Sequence, residues 1–124
     1  LLDGAPLRLG VANLYELERG AGHAKEAAGY LKKAVQADSK NLEARLELSR
    51  TLYEINDVDG ALAETKRLLA DHPNQIDGLY NIGAIYANLG QVELARQYWT
   101  QAVATEPQSD SGRKAQDGLT KIGK

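Results

Sequence analysis

A 34-residue period runs through this chain of 124 residues and limits its folding options more than any other feature. Leu14, Leu48 and Ile82 fall in register, as do Gly22, Asn56 and Gly90. Ala27, Ala61 and Ala95 align, followed by Val35, Leu69 and Val103, and Ser39, Pro73 and Pro107 close the three units. Small, apolar and turn residues each recur at their own offset. A period of this size marks a supersecondary unit that cannot bury its apolar face alone and must stack on its neighbours, the design of a solenoid.

Within each period the apolar spacing is helical. Leu48, Leu52 and Ile55 lie at i, i+4 and i+7, and Ile82, Tyr86 and Leu89 repeat that stripe. A second stripe follows in each unit: Ala61, Leu62, Thr65, Leu68 and Leu69, then Leu94, Ala95, Trp99, Ala102 and Val103. Asn56-Asp57 and Gly90-Gln91 suit the tight turn inside a helix pair, because asparagine and glycine accept left-handed backbone angles. Asp71-His72-Pro73-Asn74 and Glu106-Pro107 end the second helices, since proline cannot continue the hydrogen-bond ladder. The spacing predicts helices over 6–19, 24–37, 42–55, 58–70, 76–89, 92–104 and 110–122, with no segment alternating as a strand would.

These residues resemble the tetratricopeptide repeat. The third unit reads Leu79-x2-Ile82-Gly83-x2-Tyr86, then Ala95-x3-Trp99, then Pro107. The second reads Arg45-x2-Leu48-Ser49-x2-Leu52, then Ala61-x3-Thr65, then Pro73. The first keeps Val11, Leu14 and Ala27, but Tyr15 stands in for the small residue and Glu18 for the large one, as terminal repeats allow. The resemblance implies an all-α, right-handed α-solenoid of three helix-turn-helix repeats, about 8–41, 42–75 and 76–109, in a single domain over 1–124. Residues 110–122 read as a capping helix: Ala115, Leu119 and Ile122 form a thin apolar stripe, while Arg113, Lys114, Asp117 and Lys121 stay wet.

Composition narrows the function. With 43% hydrophobic and 26% charged residues the chain is of ordinary soluble type, neither disordered nor membrane-like. A net charge of −2 offers no field for a phosphate backbone, so nucleic acid is not the expected partner. The absence of cysteine excludes disulfides, thiolate chemistry and zinc-thiolate sites, and leaves the compartment open. No apolar run approaches the roughly 20 residues of a spanning helix. A start at Leu1 with no methionine reads as a processed or excised piece.

No catalytic constellation is present in the sequence: no Gly-x-Ser-x-Gly, no phosphate-cradling loop, no His-Glu-x-x-His, and only two histidines. His23 opens a helix and His72 sits in a turn, so both read as solvated. Asn56-Asp57-Val58-Asp59-Gly60 approaches a calcium loop but lacks the closing glutamate, and reads instead as a turn with a helix N-cap. Neither an enzyme nor a cofactor or metal binder is expected.

The resemblance also implies where a partner would sit, because in this family the first helix of each pair lines a concave groove that holds peptide segments. The stripes there are Glu43, Glu47, Arg50 and Glu54, then Asp77, Asn81, Ala84 and Asn88, with Asn13 and Glu16 extending them. Leu46, Tyr53, Tyr80 and Ala87 flank them. An asparagine amide donates to and accepts from a peptide backbone at once. The clamp by which chaperone-binding members hold a terminal carboxylate is absent, with Ala12 and Asp77 at its lysine positions and Asn81 at its arginine position. Arg50 is the only basic residue in these stripes, so the expected partner is a basic or neutral protein segment. The alternative is a scaffold built by self-association of edge helices.

Overall fold

A computed structural model describes residues 23–123; the helix expected over 6–19, together with Asn13 and Glu16, lies outside the described residues. Among the described residues there are six helices and no strand. They are α1 (Ala24–Ala37), α2 (Leu42–Glu54), α3 (Val58–Asp71), α4 (Ile76–Asn88), α5 (Val92–Thr105) and α6 (Asp110–Ile122). The chain is an all-α helical repeat, and no helix among the described residues is long and apolar enough to cross a membrane.

The period governs the helix ends as well as the core. Asn41, Gln75 and Ser109 occupy the N-caps of α2, α4 and α6, and their side chains accept from Ala44 N, Gly78 N and Gly112 N. Each bond satisfies one of the backbone donors that a helix start leaves without a partner. Asp57 does the same for α3, its carboxylate accepting from Gly60 N at 3.0 Å. That is the capping role expected of the Asn56–Gly60 segment.

Inside the pairs, Asn56 (φ 70°) and Gly90 (φ 79°) take left-handed backbone angles. Asp57 N then reaches back to the Leu52 carbonyl at 2.8 Å, and Gln91 N to the Tyr86 carbonyl at 2.9 Å. These six-residue closures consume carbonyls that a helix end would otherwise leave bare.

The described residues form two compact units that divide between Glu64 and Thr65. In the first, α1 packs on α2. Ala27, Leu31 and Ala34 on α1 and Leu48 on α2 are at most 1% exposed. Small side chains at Ala27 and Ala34 permit close helix approach, and the leucines fill what remains.

In the second unit α5 packs on both α4 and α6, and α6 also reaches α4. Trp99 is the centre of this packing. Its ring lies against Gly83 of α4 and Gly118 of α6, where an added Cβ would come within 3.0 Å of indole atoms. Its Nε1 donates to the Tyr80 carbonyl at 3.0 Å, which satisfies the buried indole donor. Gly112 is held as closely, since a Cβ there would collide with the Glu106 carbonyl. The glycines that weaken α6 as an isolated helix are therefore the ones that let it dock.

Candidate interaction surface

Of the residues expected to meet a partner, one group lies in the first unit. Glu43, Glu47, Arg50 and Glu54 run along one face of α2, with Glu43, Arg50 and Glu54 exposed and Glu47 half-buried. Arg50 Nη1 donates to Glu47 Oε1 at 2.7 Å, one turn away on the same helix. An exposed pair of this kind adds at most about 1 kcal/mol to stability. Its effect on recognition is larger, because it neutralises one acid and the only base of the stripe. Leu46 and Tyr53 are half-buried beside it.

The second group is on α4. Asp77, Tyr80, Asn81, Ala84 and Ala87 are half-buried and Asn88 is exposed. Several are engaged by the rest of their unit. The Ser111 hydroxyl of α6 donates to Asp77 Oδ1. The Tyr80 ring stacks on Trp99 with centroids 6.2 Å apart and planes 16° apart. The Lys114 ammonium stands over the same ring, 5.9 Å from its centroid. A cation held over a tyrosine face is stabilised by the ring quadrupole. Asn81 differs from its neighbours, because its Nδ2 is buried and donates to no acceptor among the described residues.

Lys114 and Ser111 were not among the expected contact residues, yet the period points to them. One further step of 34 residues carries Asp77, Tyr80, Ala84 and Ala87 onto Ser111, Lys114, Gly118 and Lys121. In position, α6 is the first helix of a fourth unit. Its outward residues Arg113, Gln116 and Thr120 stand where α4 has Leu79, Ile82 and Tyr86, and all three are exposed. At these three positions α6 therefore lacks the apolar side chains that α4 presents.

Other candidates resolve simply. His23 and His72 are exposed. Among the described residues, no cluster of three or more histidines and carboxylates could hold a metal ion. Trp99 and Tyr86 are buried, at 6% and 7% exposure, as core residues of the repeat.

Helix pairs of this geometry, repeated at 34 residues with small residues at the crossings, define a helical-repeat protein. Family models described as tetratricopeptide repeat match residues 18–80 and 76–109, and the chain belongs to that family. A curated relative from Emericella nidulans, described as a probable assembly chaperone of rpl4, is 29% identical over 98 residues. The match covers 68% of this chain and 26% of the relative, so the chain spans about a quarter of that protein. A tetratricopeptide repeat protein from Parabacteroides merdae matches in structure with a TM-score of 0.82 at 23% identity, over 97% of this chain and 47% of its own. The first such domain of Spaghetti (RPAP3), bound to an HSP90 peptide, also gives 0.82 at 18% identity, over 94% and 90% of the two chains. Both structures share the fold. Proteins of this family and fold are generally non-catalytic interaction modules.

Proposed function

We propose that this chain is a non-enzymatic protein-interaction module that holds a peptide or partner-protein segment on the first helices of its repeats. The contact residues would be Glu43, Leu46, Glu47, Arg50, Tyr53 and Glu54 on α2, and Asp77, Tyr80, Asn81, Ala84 and Asn88 on α4, with Asn13 and Glu16 before them. The observation that carries this reading is the Asn81 amide, a buried donor with no acceptor among the described residues, beside the Tyr80 ring. A buried donor left unpaired costs about 1–3 kcal/mol. Turning the half-buried side chain outward would bring that amide to a partner's backbone carbonyl and remove the penalty. The descriptions of the relatives agree, since one is a probable assembly chaperone and another holds a peptide.

The partner segment is proposed to be basic or neutral. The exposed Glu43 favours a basic residue near α2. On α4 the acid Asp77 already accepts from Ser111, and Lys114 stands over Tyr80, so a neutral stretch fits that surface better. An array of overlapping neutral, basic and acidic peptides, followed by calorimetry on those retained, tests the reading. Asn81→Ala should weaken a retained peptide about tenfold, in keeping with one lost hydrogen bond to a buried group. Tyr80→Phe, which keeps the stack on Trp99, should bind nearly as well as the parent. Unchanged affinity in Asn81→Ala would remove the assignment.

A further inference from the structure

A pocket of about 330 Å³ lies in the second unit between α3, α4 and α5, lined by none of the residues assigned to the partner face. Leu69, Ala70, Pro73 and the Tyr98 ring form its open apolar lining above the buried Leu79 and Ile82, and Lys66 and Gln101 stand around it. Its walls are fixed. The Gln101 amide donates to the Pro73 carbonyl at 3.2 Å and to Asn74 Oδ1 at 3.1 Å, clipping the α3–α4 turn to α5. Tyr98 stacks on Tyr86 with centroids 5.9 Å apart and planes 14° apart.

The repeat explains why there is space. One period earlier, the positions of Leu79, Ala70, Tyr98 and Gln101 hold Arg45, Gln36, Glu64 and Arg67. Arg45 is buried, at 8% exposure, so a long side chain fills the interior at that position of the second unit's repeat predecessor. Leu79 is shorter than Arg45 by a guanidinium and Ala70 is shorter than the exposed Gln36, while Tyr98, larger than Glu64, lines the pocket. The volume lies at the lower end of the range for ligand sites, about 300–1,000 Å³, which suits one or two side chains better than a cofactor.

We propose that this pocket is a second interaction site, in which a partner polypeptide seats one aliphatic or aromatic side chain while a neighbouring carboxylate of that partner meets Lys66. The apolar lining calls for the side chain, because removing it from water against Leu69, Ala70, Pro73 and the Tyr98 ring is the available driving force. The rim decides the charge. Lys66 is exposed and pairs with no carboxylate among the described residues, and the lining includes no acidic residue. A basic neighbour on the partner would be repelled, and an acidic one attracted.

Amide chemical shifts of the full chain, titrated with capped peptides in which leucine, phenylalanine or tryptophan is flanked by aspartates, test this. The expected result is a set of shifts confined to residues 66–74 and 98–101. Lys66→Glu should weaken the effect at least about fivefold, and Ala70→Phe, which places a ring at the exposed edge of the pocket, about tenfold or more. Melting curves confirm that both variants remain folded. Equal binding of lysine-flanked peptides, or full binding by both variants, would overturn the proposal. So would shifts confined to residues 77–88, or none at millimolar peptide. Pocket shifts that follow protein concentration alone would name a second copy as the occupant and overturn it too. None of these outcomes depends on Asn81, so the pocket and the α4 face fail or stand separately.

Discussion

Gly83 faces the Trp99 indole so closely that an added methyl group would meet ring carbon Cε2 at 2.9 Å. Gly29, in the middle of α1, is exposed and has no atom within 4 Å of the same methyl position. The two glycines predict opposite signs for one substitution. Gly83→Ala must push the indole away from its bond to Tyr80, which should destabilise by about 1–3 kcal/mol. Gly29→Ala removes only backbone freedom from the unfolded chain and should stabilise by about 0.5–1 kcal/mol. Ala95 is fully buried and Ala63 exposed, so Ala95→Leu should follow Gly83 while Ala63→Leu changes little. Urea titration of the four variants decides it, and a common loss at all four sites would sink the assignment of close contacts. The alanine and glycine positions were readable because small residues recur at fixed offsets. The engagement of Asp77 by Ser111 was not, since a hydrogen bond between separate helices leaves no local pattern.

The six described helices begin and end within a residue of where the spacing puts them, α2 stopping at Glu54 and α3 running on to Asp71. Their boundaries are written locally, in cap residues, left-handed turn residues and prolines, which is why a single sequence suffices for them. The role of α6 was legible only in part. Its thin apolar stripe announces a cap, but its place over Trp99 depends on Gly118, which by propensity alone argues against a helix. Ending the chain at Ser109 should expose Trp99, shift its fluorescence to the red and lower stability by several kcal/mol, the scale of a lost helix face. An unshifted spectrum with an unchanged melting midpoint would show α6 to be dispensable. A finer test of the same element is Ser109→Ala, which deletes the bond to Gly112 N and should cost about 1 kcal/mol. Asn41→Ala should cost α2 a similar amount, and the two effects should add.

For the chain as a whole, the consequential number is the balance of 15 basic and 17 acidic residues, a net charge of −2. A field that weak gives little long-range steering, so charge effects on recognition must come from local groups. On α2 that group is the exposed Glu43, while Glu47 holds Arg50. On α4 and α6 they are Lys114 and Lys121, with Asp77 already occupied. Counting acids in the expected stripes alone overstates the acidity, because α6 adds two lysines at the register of Tyr80 and Ala87. Light scattering across protein concentration comes first, since a peptide receptor stays monomeric and a self-assembling scaffold does not. Salt then separates the local contributions, because the screening length falls from about 10 Å at 0.1 M to about 3 Å at 1 M. A neutral peptide held through Asn81 should keep its affinity within about twofold over that range, as hydrogen bonds and ring contacts are barely screened. A peptide with lysines should lose about fivefold as Glu43 is screened, and that loss should vanish in Glu43→Gln. Calorimetry at the two salt concentrations reads both numbers. Steep salt dependence for an acidic peptide, with shifts at residues 77–88, would place Lys114 and Lys121 in command of the surface and reverse the partner's charge.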